Sequence, residues 1–117
     1  MILASYNSQR CITGIDVPEL LIASHIVPWS KDKTNRINPT NGLCLNALHD
    51  KAFERGLLTI TNDFKVLFSQ RLMEKDGTSF FYQYVAPYHQ EKIMMPQRFT
   101  PGKRFLEYHN KNIFQPE

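Results

Sequence analysis

The residues with the clearest chemical potential lie between positions 24 and 56. His25 interrupts an apolar run, Asn41 precedes Gly42, and Asp50 and Glu54 are four residues apart. Residues four apart project from the same face of a helix, so the two carboxylates would lie close together. Neighbouring carboxylates repel each other unless a cation or hydrogen bonds compensate. The spacing of the two acids is therefore compatible with a site for a divalent cation.

Each of these features also has an ordinary structural explanation. Most acid pairs of this spacing are solvated and bind nothing, and Lys51 and Arg55 would soften the repulsion between the carboxylates. A histidine in an apolar strand is more often a core residue than a catalytic one. Asn-Gly is a common turn dipeptide, so Asn41 could serve a turn alone. No single feature decides between these interpretations.

The flanking sequence predicts the elements that position these side chains. The pattern indicates a one-turn helix near Pro18, a strand from Leu20 to Val27, a polar loop over residues 30–42, a strand from Leu43 to Leu45, and a helix from Ala47 to about Arg55. Asn46 is a suitable N-cap for this helix, and Gly56 supplies a left-handed stop. The predicted order is strand, long loop, strand, helix.

The second half of the chain is less regular. Leu57–Thr61 and Phe64–Ser69 predict a hairpin around Asn62-Asp63. An extended, buried piece is indicated by four aromatic residues, Phe80, Phe81, Tyr82 and Tyr84. Thr100 and Pro101 open a last helix that runs to about Lys111, with Phe105, Leu106 and Tyr108 as anchors.

Composition limits the class of protein. The 117 residues are 42% hydrophobic, enough for one modest core, and no apolar run could span a bilayer. Two cysteines, Cys11 and Cys44, are too few for a four-cysteine zinc site and are expected to be reduced. The net charge of +3 is compatible with a polyanionic partner. Candidate phosphate contacts are Lys31, Lys33 and Arg36, with a second group at Gln97, Arg98, Lys103 and Arg104.

Taken together, the segments His25–Pro28, Asn41–Leu43 and Leu48–Phe53 resemble the HNH endonuclease superfamily, and SHIVPWS…NPTNGLCLNALHDKAFERG is similar to its restriction-type branch. Residues 10–15 and 107–114 are also similar to that branch. The resemblance implies an α+β fold with a ββα-metal (His-Me finger) core at about 20–56, an additional hairpin and flanking helices. Residues 1–117 would form a single HNH nuclease domain, the C-terminal part of a longer protein.

The resemblance also implies roles for individual residues. His25 would act as the general base that activates water, and Asn41 would hold the loop that orients it. Counting from Asn41, the family's metal-binding histidine falls on Asp50 and a further helical ligand on Glu54, so these acids are the preferred ligands. His49, one residue earlier, is the competing candidate, and would otherwise be a packed residue or a supporting hydrogen-bond donor.

Two departures from the family pattern bear on the metal. Ser24 stands where many members carry an aspartate or histidine ligand, which favours an oxygen-rich, hydrated site and hence one Mg²⁺ or Mn²⁺ ion. Gly14 stands where a second cysteine would pair with Cys11, so a structural zinc is not expected.

These observations predict a metal-dependent DNA endonuclease of a restriction system. The alternatives are a catalytically inactive HNH-like module that binds DNA or a protein, and an interaction domain in which the motif is coincidental. We expect DNA as partner, no membrane association, and a cytoplasmic, prokaryotic-type location. Either a homodimer or a preceding N-terminal recognition domain would complete the functional unit.

Overall fold

The computed structural model describes residue 12 and residues 17–28, 38–96 and 100–117. In chain order, the elements are β1 (Leu21–His25), β2 (Gly42–Asn46), α1 (Ala47–Glu54), β3 (Leu58–Ile60), β4 (Val66–Phe68), α2 (Gln70–Met73), α3 (Ser79–Tyr84) and α4 (Lys103–Asn112). Short 3₁₀ turns precede the first two strands, at Pro18–Leu20 and Pro39–Asn41. The predicted order of strand, loop, strand and helix is therefore confirmed.

The first hairpin is the platform of the fold. Strands β1 and β2 pair antiparallel, with Leu21 opposite Asn46 and His25 opposite Gly42. Every residue of β2 is buried, whereas in β1 Leu21 and Ser24 are buried, Ile22 and Ala23 are exposed and His25 is partly exposed. Helix α1 follows β2 without a linker and contacts β1, β2 and β3. The carboxyl end of β1 and the surface of α1 are thereby brought together.

Helix α1 begins and ends where the sequence predicts. The Asn46 side chain accepts a hydrogen bond of 2.7 Å from the His49 amide, which satisfies one of the unpaired donors of the first turn. Gly56 has a φ of 77°, in the left-handed region that glycine tolerates best. A Cβ at this position would lie 2.2 Å from the Ile113 carbonyl oxygen, so the close approach also requires glycine.

The second hairpin is also confirmed. Strands β3 and β4 pair antiparallel, and the turn is closed by a 2.8 Å hydrogen bond from the Thr61 amide to the Lys65 carbonyl. Helix α4 packs against β3. It runs over Lys103–Asn112, close to the predicted span. Two of its three predicted anchors, Phe105 and Leu106, are buried.

The prediction of an extended, buried aromatic piece is wrong. Residues 79–84 form helix α3, and Thr78 caps it by accepting a 3.1 Å hydrogen bond from the Phe81 amide. Only Phe81 of the four aromatic residues is buried; Tyr82 and Tyr84 are 58% and 37% exposed. Phe81 and Val85 share one helix face and both reach the core. The cap at Thr78 and this four-residue spacing outweighed the strand propensity of the aromatic run.

The described residues form a small α+β fold with two two-stranded antiparallel sheets, and the predicted α+β class is confirmed. One core joins both hairpins to helices α1, α3 and α4, and it contains, among others, Leu43, Phe53, Leu58, Phe81 and Leu106. None of the helices in the described part of the chain is long and apolar enough to cross a membrane.

Candidate active site

A cavity of about 450 Å³ opens between the end of β1 and the outer face of α1. Its polar residues are Ser24, His25, Asp50, Glu54 and His109, and its apolar wall is formed by Ile22, Ala23, Ile26, Pro28, Phe53 and Ile113. The imidazole of the first strand and the two acids of the helix, which were predicted from sequence, therefore line one cavity.

His25 is the last residue of β1 and is partly exposed in the cavity. The chain beyond it is held by Asn41, whose side chain is completely buried. Asn41 Oδ1 accepts a 2.8 Å hydrogen bond from the Val27 amide, and Asn41 Nδ2 donates a 3.2 Å bond to the Val27 carbonyl. The Ile26 amide also donates to the Asn41 carbonyl. These three hydrogen bonds attach the backbone that follows His25 to Asn41.

Asn41 is itself fixed by the 3₁₀ turn at Pro39–Asn41. Asn38 caps this turn, since its Oδ1 accepts hydrogen bonds from the amide and the hydroxyl of Thr40 at 3.0 and 2.8 Å. The Asn41 amide donates to the Asn38 carbonyl, and the Gly102 amide donates to the Thr40 carbonyl. The segment before α4 therefore supports the turn that orients the end of β1.

Asp50 and Glu54 lie on the cavity side of α1 but differ in their surroundings. Asp50 is half-buried, and its Oδ1 accepts a hydrogen bond from the Ser24 hydroxyl on β1. Glu54 is more exposed and lies 4.0 Å from the Lys51 ammonium, one turn earlier on the helix. An exposed pair at this distance contributes little to stability, so Glu54 keeps its freedom to bind other groups.

His49 does not line the cavity. It is buried among the rings of Phe68, Tyr84 and Tyr88. Since Asn46 Oδ1 accepts from the His49 amide, Asn46 Nδ2 faces His49 Nδ1 at 3.2 Å and donates to it. The ring proton then lies on Nε2, which is 3.0 Å from the Tyr84 carbonyl oxygen and donates to it. This position fits the packed alternative for His49 rather than the ligand.

His109 is a cavity residue that the sequence analysis missed. It stacks on Phe53 with ring centroids 3.7 Å apart, and its Nε2 donates a 2.8 Å hydrogen bond to the Phe53 carbonyl. Its Nδ1 lies 2.7 Å from Thr59 Oγ1 on β3. Burial lowers the pKa of His109 to about 4, against the weaker opposing effect of the hydrogen bond to Phe53. The spacing of Phe105 and His109 on α4 was the available clue, because both fall on the buried face.

The donors in the cavity fit a hydrated cation rather than a closed metal site. Among the residues that the structure describes, no three His, Cys, Asp or Glu side chains form a group that could hold a metal ion. The preferred ligands Asp50 and Glu54 both line the cavity, whereas the competing candidate His49 does not. Mg²⁺ keeps several waters and binds through one or two carboxylates together with substrate phosphates, which Asp50 and Glu54 can supply. A structural zinc would need four protein ligands.

Several predicted residues lie outside the described part of the chain: Cys11, Gly14, Lys31, Lys33, Arg36, Gln97 and Arg98. Lys103 and Arg104 are described and exposed at the start of α4, and the Lys103 ammonium lies 6.0 Å from the centre of the Phe64 ring. Cys44 is buried in β2, as expected of a core cysteine.

Comparisons with known proteins agree with this geometry. Residues 10–61 match the model of a family described as HNH endonuclease. A solved structure, "Modification dependent TagI restriction endonuclease", is similar with a TM-score of 0.59 and 20% identity, over 96% of this chain and 36% of that one. At this identity the similarity shows the fold, and the chain spans about a third of that protein. No curated protein matches the chain.

The family match covers the β1–β2 hairpin, the loop between its strands, helix α1 and strand β3. It therefore includes His25, Asn41, Asp50 and Glu54. The resemblance to the HNH endonucleases that the sequence predicts is confirmed, because residues 10–61 match the model of that family.

Proposed function

We propose that this chain is the nuclease module of a restriction-type enzyme that hydrolyses DNA phosphodiester bonds with one divalent cation, Mg²⁺ or Mn²⁺. The observation that carries the proposal is the shared cavity, which brings His25 from β1 to the same opening as Asp50 and Glu54 from α1. Support also comes from the family match, which spans all three residues.

In the proposed reaction, His25 accepts a proton from the water that attacks the scissile phosphorus. A neutral imidazole suits this task because its unprotonated ring nitrogen can accept a proton. Asn41 keeps the chain after His25 in place through its two hydrogen bonds to Val27, so the imidazole does not have to be ordered at each turnover. The turn that contains Asn41 thus orients the general base His25, and helix α1 carries the acids that would hold the cation at the phosphate.

Asp50 and Glu54 are the residues that would hold the cation. When bound there, a divalent cation neutralises negative charge that develops on the phosphate and on the leaving oxygen. The two acids would otherwise repel a phosphodiester, so a cation is also needed for the substrate to approach α1.

The test is a plasmid-nicking assay with Mg²⁺ or Mn²⁺, and with EDTA as the metal-free control. We expect His25→Ala to reduce nicking about 100- to 10,000-fold, the usual contribution of a general base. His89→Gln is the matched control, because His89 is a partly buried histidine that does not line the cavity. A His25→Ala protein that folds normally and nicks as fast as the wild type would remove His25 as the base.

Absence of nicking by the wild-type chain under every divalent ion would favour the inactive HNH-like binding module instead. The structural relative is about three times as long as the matched region, so the substrate selection of the whole protein is itself a proposal. We propose that a recognition domain outside this chain, or pairing with a second copy, selects the DNA site. The phosphate-contact role of Lys31, Lys33 and Arg36, and the cytoplasmic location, stay part of this proposal.

A further inference from the structure

The distinctive contact in the cavity joins Ser24 of β1 to Asp50 of α1. Ser24 is only 5% exposed and lies directly before His25, opposite Leu43 in the hairpin. Its hydroxyl donates a hydrogen bond to Asp50 Oδ1, across 26 positions of the sequence. The strand that carries the predicted base is thereby linked to the helix that carries the predicted cation ligands.

We propose that Ser24 is a positioning residue that orients the Asp50 carboxylate for the divalent cation, rather than a ligand itself. The inference rests on the proposed function, because it assigns Asp50 to the cation. A neutral hydroxyl is a weaker ligand than a carboxylate, and here its proton is directed towards Asp50. A carboxylate has about four lone-pair sites, so accepting one hydrogen bond leaves the others for a cation.

The direction of the effect follows from pre-organisation. Without the Ser24 bond, the half-buried Asp50 side chain would have to be ordered each time a cation binds. Hydrogen bonds to metal ligands typically change metal affinity or activity by about 10- to 100-fold when they are removed. Asp50 has a second oxygen, Oδ2, and Glu54 contributes separately, so we expect the effect at the lower end of this range.

The hydroxyl can be isolated with two variants of nearly equal shape. Threonine and valine are isosteric, and both suit a strand, but only threonine retains the donor. Manganese binding to the protein alone, without DNA, is measured by calorimetry or by the EPR signal of free Mn²⁺. Ser24→Val should weaken Mn²⁺ binding about tenfold, and Ser24→Thr should stay within about threefold of the wild type. Thermal melting monitors folding of each variant.

A double-mutant cycle distinguishes positioning of Asp50 from a purely structural role of Ser24, because only positioning couples the two residues in Mn²⁺ binding. Asp50→Asn should weaken Mn²⁺ binding by itself, and Ser24→Val should add no further loss in that background. Equal Mn²⁺ affinity of the Ser24→Val and Ser24→Thr proteins would overturn the proposal. An undiminished loss for Ser24→Val in the Asp50→Asn background would overturn it as well.

Failure of this inference and failure of the proposed function give different results. If the wild type nicks plasmid but its Mn²⁺ affinity is insensitive to the hydroxyl, only the role of Ser24 is refuted. If the wild type binds Mn²⁺ with the expected dependence on Ser24 and Asp50 but never nicks, the nuclease proposal is refuted and the positioning role is supported. A wild type that binds no Mn²⁺ and does not nick plasmid refutes both, and one that nicks plasmid without binding Mn²⁺ in the absence of DNA refutes the role of Ser24 alone.

Discussion

The buried imidazole of His109 makes a quantitative prediction about stability and pH. Its pKa is lowered by burial from 6.5 to about 4, so the folded protein holds this ring neutral under most conditions. The unfolded chain binds a proton at His109 near pH 6.5. Between these two values the unfolded state carries more protons, and stability must fall as the pH falls. The contribution of the neutral ring to the free energy of unfolding is complete above pH 6.5 and is lost as the pH falls towards 4.

The magnitude follows from the gap between the two pKa values. At about 1.36 kcal/mol per pKa unit, the gap between 6.5 and about 4 corresponds to on the order of 3 kcal/mol at the acid end. At pH 5 roughly 2 kcal/mol of this would be lost. Folded domains are stable by only about 5–15 kcal/mol, so the effect should be measurable.

The variant His109→Gln removes the titration while keeping an N–H that can reach the Phe53 carbonyl. It loses the ring stack on Phe53 and should be less stable at pH 7.5 by about 1 kcal/mol. The informative quantity is the change in unfolding free energy between pH 7.5 and 5, from urea titrations followed by circular dichroism. This change should be about 2 kcal/mol smaller in the variant than in the wild type.

His89→Gln is the control for this measurement, because burial also lowers the pKa of His89 but the residue is only partly buried. Its pH dependence should differ from the wild type much less than that of His109→Gln. The reasoning is refuted if His109→Gln and the wild type lose the same free energy between pH 7.5 and 5. That result would mean that His109 is protonated in the folded protein or exchanges freely with solvent.

Substitutions at Gly56, Asn41 and Asn46 test the supports of the site, and Gly77 serves as a control. Gly56→Ala, with a φ of 77° and a Cβ 2.2 Å from a backbone oxygen, should cost about 2–4 kcal/mol. Gly77→Ala, with a φ of 94° but open space around the Cβ, should cost only about 1–2 kcal/mol, and equal losses in urea unfolding would contradict the steric argument. Asn41→Ala leaves two buried backbone groups of Val27 unpaired, so it should cost about 2–4 kcal/mol and lower nicking by more than the unfolded fraction accounts for. Nicking that falls only in proportion to the unfolded fraction would separate Asn41 from the orientation of His25. Asn46→Ala removes the N-cap of α1 and should lower the free energy of unfolding by about 1–2 kcal/mol. Asn46→Ser should lose less, because serine can also cap a helix. An unchanged melting temperature in the alanine variant would contradict the capping role.

Local chemistry explains why the first half of the fold could be predicted. The cap at Asn46 and the glycine at position 56 act within one helix, so their residue types alone fix the bounds of α1. The Asn62-Asp63 turn likewise sets the second hairpin. The prediction for residues 79–84 was wrong because aromatic residues favour strands on average. The helix there depends instead on the cap at Thr78 and on the tertiary packing of Phe81.

The candidate site likewise has some features that local sequence predicts and others that depend on tertiary packing. The common helix face of Asp50 and Glu54 follows from a spacing of four residues, which needs no tertiary information. The contact between Ser24 and Asp50 depends on the packing of α1 against β1, and no pattern within the sequence displays it. The burial of His49 could be predicted only in part, because a helix residue next to a cavity residue faces about 100° away. Its bond to the Tyr84 carbonyl comes from a segment whose structure was predicted incorrectly.

The C-terminal helix α4 and the residues after it attach to the end of α1. His109 binds the Phe53 carbonyl in the last turn of α1, the Gln115 amide donates to the Gly56 carbonyl just beyond it, and Ile113 closes over Gly56. These contacts come from a segment more than 50 residues further along the chain, and they fix the end of α1 that carries Glu54. The start of α1 is fixed separately, by Asn46 and by the bond from Ser24 to Asp50. Since each end of the helix has its own attachment, the positions of the two acids depend on different parts of the sequence. Loss of the α4 contacts should therefore loosen Glu54 before it affects Asp50.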